Sequence, residues 1–250
     1  MHDHAIQCVH DPLLLTLSYL ISVLGSYTAL QLAIGIPGAR SPGERLRAVF
    51  AAGATMGGGA IWAMHFIGML ACSMEIPVTY NLGLTVFSGL VAIVSCMFGL
   101  AIAGGGVFSW MRLVPGGTLM GLGVAGMHYV GMAAMEMPAT TTYDMTIVGI
   151  SILIAVVASI AALWLAFNMR GVAQMLGSAL VMGVAVCGMH YTGMLAASFA
   201  PTDQVQVSFV GPAIGGAHLG SMIFALTTVL LVTVLTISTM RQRRRALVRI

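Results

Sequence analysis

The sequence has no lysine, and only 7% of its 250 residues are charged. Soluble domains average about 25% charged residues. A soluble core of this size would lack the polar side chains to cover it. No stretch has the polar content of a separate soluble domain. The leading segment MHDHAIQCVHD is acidic and histidine-rich, without the basic n-region of a cleaved signal, so it is expected to be retained. The four cysteines, Cys8, Cys72, Cys96 and Cys187, are too scattered to form a metal-binding set. No CxxCH sequence is present for covalent haem, and no dinucleotide fingerprint occurs.

What is abundant is apolar. Hydrophobic residues make up 59% of the chain, and the mean hydropathy is +1.00. A helix needs about 20 mostly apolar residues to cross a bilayer. Seven runs qualify: 13–34, 48–70, 82–103, 117–134, 146–167, 172–197 and 219–240. They are continuous rather than alternating, which excludes a β-barrel reading. The expected fold is all-α, a polytopic membrane helix bundle. Residues 1–12 form an N-terminal segment, 13–240 the seven-helix domain and 241–250 a basic tail. Glycine, at 31 residues, would weaken helices in water but permits close approach between helices in a membrane. The run Gly104-Gly105-Gly106 is expected to mark the inner end of the third helix.

All ten arginines fall at one end of these helices: Arg40, Arg45, Arg47, Arg112, Arg170, Arg241, Arg243, Arg244, Arg245 and Arg249. Six of the seven acids, Asp3, Asp11, Glu75, Glu136, Asp144 and Asp203, fall at the other. This placement, not a basic patch, explains the net charge of +3, so no nucleic-acid partner is expected. The positive-inside rule puts the arginine end and the C-terminus in the cytoplasm, with the N-terminus outside.

An internal repeat stands out. The second span ends AMHFIGMLACSMEIP, the fourth GMHYVGMAAMEMP and the sixth GMHYTGMLAASFAP. The common core, Met-His-aromatic-x-Gly-Met, recurs at His65, His128 and His190, 63 and 62 residues apart. That interval is two membrane crossings, so the unit is a helical pair with a seventh helix appended outside the repeat. At 1.5 Å per residue His65 lies about 7 Å below the outer interface, and the other two lie at similar depth. Met69, Met132 and Met194 each follow their histidine by four residues, on the same helical face.

Imidazole with thioether is a soft ligand set. No carboxylate lies inside the apolar runs, so calcium or magnesium is poorly served. The 20 methionines favour copper over a tetrahedral zinc site, and a non-covalently held haem stays open. Tyr129 and Tyr191 follow their histidines and are candidates to orient a ligand, a role Phe66 cannot share. Glu75 and Glu136 are candidates to hold the second imidazole nitrogen, or else loop caps. Cys187 is placed to reach the face of His190, and Cys8 and Cys72 share the outer side, which permits a disulfide. All seven histidines, including His2, His4, His10 and His218, are on that side.

The three motif copies closely resemble the MHYT domain, a bacterial integral-membrane sensor family. Met189-His190-Tyr191-Thr192 has the namesake sequence, Met127-His128-Tyr129-Val130 and Met64-His65-Phe66-Ile67 are its variants, and the likeness covers nearly the whole chain. The resemblance implies an inner-membrane protein that senses a diatomic gas (oxygen, carbon monoxide or nitric oxide) through a bound metal, copper. Its ligands would be His65, Met69, His128, Met132, His190 and Met194. Family members often continue into a cyclic-di-GMP synthase or hydrolase or a histidine kinase. These 250 residues hold no such output enzyme, so either the domain acts through a cytoplasmic signalling partner or the chain is part of a longer one. Two other classes remain: a metal-dependent membrane oxidoreductase, and a copper transport or binding protein.

Single cysteines introduced beside Asp203 and beside Arg243 test the orientation. The first should react in intact cells with a membrane-impermeant thiol reagent and the second should not. Equal labelling at both would sink the assignment.

Overall fold

The structure is a computed structural model that describes residues 6–206 and 211–247. The expectations for His2, His4, Asp3 and Arg249 fall outside the described residues. The chain folds as an all-α bundle. Its helices are α1 (Pro12–Ala33), α2 (Pro42–Ala54), a π-helical stretch (Thr55–Trp62), α3 (Ala63–Leu70), α4 (Leu82–Ala103), α5 (Trp110–Ala133), α6 (Met145–Asn168), α7 (Val172–Leu195) and α8 (Gly216–Leu247). Five helices are long and apolar enough to cross a membrane: α1, α4, α6, α7 and the part of α8 from His218 to Ile237. The expected second span is present as α2, the π stretch and α3 run together without a break, and the expected fourth as α5.

The charged residues at each end also terminate helices. Asp11 caps α1, its Oδ1 accepting from the N–H groups of Leu13 and Leu14 at 2.7 and 3.2 Å. Asp144 does the same for α6 toward Thr146 and Ile147, and Asn81 caps α4 through Leu84 N–H at 3.1 Å. These side chains fill donors that a helix leaves open at its start. At the other end Arg170 donates to the carbonyls of Ala166, Phe167 and Met169, and Arg45 donates to Ala101 O at 2.6 Å. Both satisfy terminal carbonyls and favour the negative end of the helix dipole. α4 stops at Ala103, with Gly104 closing on Leu100 O and Gly106 at φ +91°, as the glycine run implied. The basic tail is not a separate segment as far as Leu247, because α8 continues through it. Arg, Gln, Ala and Leu are all good helix formers.

Six helical positions close into a ring. α4 packs on α5, α5 on α6, α6 on α7, α7 on α1, and α1 on α3 and the π stretch, which returns to α4. α8 lies outside this ring against α1 and α3. Inside the ring the backbones come close. A Cβ on Gly57 would stand 2.5 Å from the Ala92 carbonyl oxygen.

Three polar contacts hold neighbouring helices at corresponding places. The hydroxyls of Ser18, Ser88 and Ser151, all fully buried, each donate to the carbonyl three residues earlier in their own helix. Their lone pairs then accept from the adjoining helix: Ser151 from Tyr129 Oη at 2.6 Å, Ser18 from Tyr191 Oη at 3.1 Å, and Ser88 from Trp62 Nε1 at 3.1 Å. The first repeat has Phe66 where the others have tyrosine, and Trp62, one turn earlier, supplies the missing donor.

The apolar runs predict helices alone, yet the outer end is capped by strands. β1 (Val9–His10) pairs with β2 (Cys72–Ser73), and a disulfide joins Cys8 to Cys72. A second sheet has the order β5-β4-β3-β6, from Ala197–Gln206, Met135–Tyr143, Thr79–Asn81 and Ala213–Gly215. Each motif helix runs almost directly into one of these strands: α3 into β2, α5 into β4, and α7 into β5.

The paired contact at Tyr129 and Ser151 is testable. Interhelical hydrogen bonds in membrane proteins are worth roughly 0.6 kcal/mol on average, with a maximum near 1.7. Tyr129→Phe and Ser151→Ala should each lower stability in detergent within that range. The double variant should cost no more than the larger single, because both remove one bond; full additivity would contradict the pairing.

Candidate metal centre

The three repeated histidines meet. α3, α5 and α7 bring His65, His128 and His190 to one level, at 1%, 0% and 0% exposure. His65 Nδ1 lies 3.0 Å from His190 Nδ1 and 3.2 Å from His128 Nδ1. The ring centroids are 4.9, 4.9 and 5.2 Å apart, with planes crossing at 76°, 88° and 82°. The arrangement is a propeller of imidazoles with Nδ1 atoms turned inward.

The outward edges explain the glycine of the motif. A Cβ on Gly131 would stand 2.2 Å from His65 Nε2, one on Gly193 2.3 Å from His128 Nε2, and one on Gly68 2.6 Å from His190 Nε2. Each imidazole therefore lies against the bare backbone of the next motif helix, and the three contacts close in a circle. Only glycine leaves that space. The sequence displayed these glycines in the common core, but their role was not legible from one copy, because each serves another copy's histidine.

The trio leaves hydrogen-bonding capacity unused. None of the three Nε2 atoms has a partner. A neutral imidazole carries one N–H, and each Nδ1 has one in-plane position, so three mutually facing Nδ1 atoms complete at most one two-centre bond. At least four of the six ring nitrogens stay unpaired. Buried polar groups left this way cost about 1–3 kcal/mol each and call for an explanation. A cation on the Nδ1 side provides one. With metal–nitrogen bonds of 2.0–2.1 Å, tetrahedral ligands stand about 3.3 Å apart, close to the separations seen here. Among the described residues this is the one cluster of three His, Cys, Asp or Glu groups placed to share an ion, their ligand atoms within 4.8 Å of one another.

The other candidates fall around it. Met69, Met132 and Met194 are buried in an apolar cluster with Met64, Met135 and Met137. Met69 also borders an outer cavity of about 140 Å³ shared with Met74, Met135 and Tyr80. Burial pushes the Tyr80 phenol well above its ordinary range, so it stays protonated. Tyr129 and Tyr191 spend their hydroxyls on serines and hold helices together. Glu136 is buried and accepts from Asn81 Nδ2 at 3.1 Å, which fixes it in the cap, while Glu75 is exposed. His10 sits with its ring 5.7 Å from Tyr191, and His218 is exposed at the start of α8. Cys187 is a half-buried free thiol at the edge of the outer apolar cluster, and Cys96 is buried elsewhere.

The glycine cradle makes a graded prediction. Gly131→Ala and Gly193→Ala should each destabilise the protein by about 1–3 kcal/mol through overpacking. Gly126→Ala and Gly188→Ala, on the same helices with open space at the Cβ position, should be neutral or slightly stabilising. Equal melting temperatures across the four variants would remove the cradle.

Comparison with known proteins agrees with this architecture. The family model for MHYT, described as a bacterial signalling protein N terminal repeat, matches residues 58–116, 121–179 and 183–249. The bifunctional diguanylate cyclase/cyclic di-GMP phosphodiesterase MucR of Pseudomonas aeruginosa is 41% identical over 245 residues, 95% of this chain and 35% of MucR. The signaling protein YkoW of Bacillus subtilis is 32% identical over 78% of the chain and 25% of its own length. The cyclic di-GMP phosphodiesterase NbdA of Pseudomonas aeruginosa is 33% identical over 76% of the chain and 24% of its own length. The chain thus spans about a third or less of the length of these curated relatives. No solved structure matches it. Three motif copies, three matched repeats and a histidine from each at one centre lead to one conclusion: the chain belongs to the MHYT family of bacterial membrane signalling repeats.

Proposed function

We propose that the protein is a membrane sensor module that holds a soft metal ion, copper, on His65, His128 and His190 at its outer end and detects a diatomic gas there. The observation that carries the reading is the trio of buried Nδ1 atoms, 3.0 and 3.2 Å apart along its two measured sides, which can complete at most one hydrogen bond among themselves. Met69, Met132 and Met194 contribute thioethers on the outer side as further ligands or as packing around the ion. Copper held there would supply soft coordination chemistry suited to oxygen, carbon monoxide or nitric oxide. The chain crosses the membrane seven times, with its acidic end in the periplasm and its arginine end in the cytoplasm of a bacterial inner membrane.

The chain's own contribution to signalling is mechanical. Each imidazole lies against a neighbouring motif helix at its glycine, so α3, α5 and α7 cannot move independently of the trio. A ligand acts on such a unit only by favouring one of two packings. α3 is the motif helix against which α8 packs, and α8 leaves on the arginine side. A cytoplasmic signalling partner would read that helix. The enzymes named for MucR and NbdA show what relatives carry beside such repeats, and cyclic-di-GMP turnover is the output class proposed for this one.

Metal analysis of the purified protein tests the centre. Copper should co-purify or load at a fixed stoichiometry, and alanine at any one of the three histidines should weaken it strongly. His218→Ala should leave it intact. Protons compete for the lone pairs that ligate, so affinity should fall on acidification. Unchanged copper content after replacement of all three histidines would overturn the assignment.

A further inference from the structure

A second set of side chains recurs in the repeats, deeper in the bundle and outside the motif. Met120 precedes His128 by eight residues and Met182 precedes His190 by eight. In the first repeat Met56 precedes His65 by nine. The additional residue falls in the π-helical stretch Thr55–Trp62, whose wider turns absorb one more residue over the same course. Insertions of this kind gather at functional sites. All three methionines are buried, at 1%, 1% and 4% exposure. All three line one cavity of about 30 Å³, which Met189 also borders from beneath the histidines.

The cavity carries polar capacity with nothing to use it. Ser26 lines it at 1% exposure, and its hydroxyl oxygen has no hydrogen-bond partner. Ser159 lines it too. No charged side chain borders the space. The volume suits one small occupant, of the order of a single water or ion. Filling an apolar core does not require sulfur, since leucine packs as well. A methionine lining the same cavity from every repeat points instead to a soft ligand, and thioethers select Cu(I) among biological metals. A monovalent ion suits an uncharged site better than a divalent one, since its desolvation is less costly.

We propose that Met56, Met120 and Met182 form a second soft-metal site, an all-thioether layer for a monovalent ion of the Cu(I) class. It lies about 12 Å to the arginine side of the histidine trio, from eight residues of helical rise. It does not depend on the histidines holding metal.

Ag(I), a redox-inert stand-in for Cu(I), is the probe. The purified full chain should bind one Ag(I) fewer per molecule when Met56, Met120 and Met182 are all replaced by leucine. The variant with all three histidines replaced by alanine should keep that ion, with sulfur as its dominant neighbour in X-ray absorption. The two sites therefore fail independently. Because the triple leucine variant has three core changes, a second measurement uses the unaltered chain with methyl-labelled methionine. The methyl resonances of Met56, Met120 and Met182 should shift together as Ag(I) saturates. Equal Ag(I) stoichiometry in the wild type and a folded leucine variant, or three resonances that stay in place at saturation, would overturn the site.

Discussion

Three imidazoles buried in contact with one another are the constraint on which the rest of this bundle depends. An imidazole is too polar to bury idly and too large to fit between helices that touch through ordinary side chains. The helices solve the second problem with glycine, one opposite each ring. The circle of contacts has a consequence for packing. His65 rests on α5, His128 on α7 and His190 on α3, so removing one ring or filling one glycine disturbs all three helices. The layer is a single unit because no motif helix supplies both parts of its own contact.

The same circularity governs the ring of helices. The matched repeats each begin on a motif helix and run into the helix that follows. By that order α8 would stand beside α7. The place is taken by α1, whose Ser18 receives Tyr191 as Ser151 receives Tyr129. A chain with three helix pairs can close a ring only if its first helix meets its last motif helix. The eighth helix is left outside, in contact with α1 and α3.

Much of this was legible in the sequence because it rests on local signals. Apolar runs gave limits within two residues of α1, α4, α6 and α7, with 82–103 matching α4 residue for residue, while the helices at the second, fourth and seventh runs extend six or seven residues further at one end. The even spacing of His65, His128 and His190 implied one layer, and the structure has one. What was not legible depends on partners distant in sequence. Gly131 is small because of His65, 66 residues before it. The strands of the outer cap pair across separate loops, and the four of them with two or three residues carry no periodicity to read. The tyrosines were expected at the ligand because they adjoin the histidines. In a helix adjacent residues point about 100° apart, and that turn takes both hydroxyls to the neighbouring helix. The π stretch was hidden because its glycines, Gly57, Gly58 and Gly59, fit an ordinary close-packed helix equally well.

The departures from threefold likeness are not scattered. Phe66 replaces the tyrosine in the first repeat, and Trp62 makes the serine contact there. The π stretch belongs to the first repeat. The disulfide partner Cys72 follows the first motif helix. α8 packs on that helix too, with Leu70 against Gly216 and Gly220, where a Cβ would stand 2.8 and 2.6 Å away. Symmetry is retained where three equal side chains must meet and given up where the bundle touches the N-terminal segment and the last helix. A symmetric centre can register an occupant, but a response directed to one outgoing helix requires one motif helix to differ from the other two. α3 is that helix, joined to the outer segment at its end by a covalent bond and packed along its side against the helix that leaves the ring.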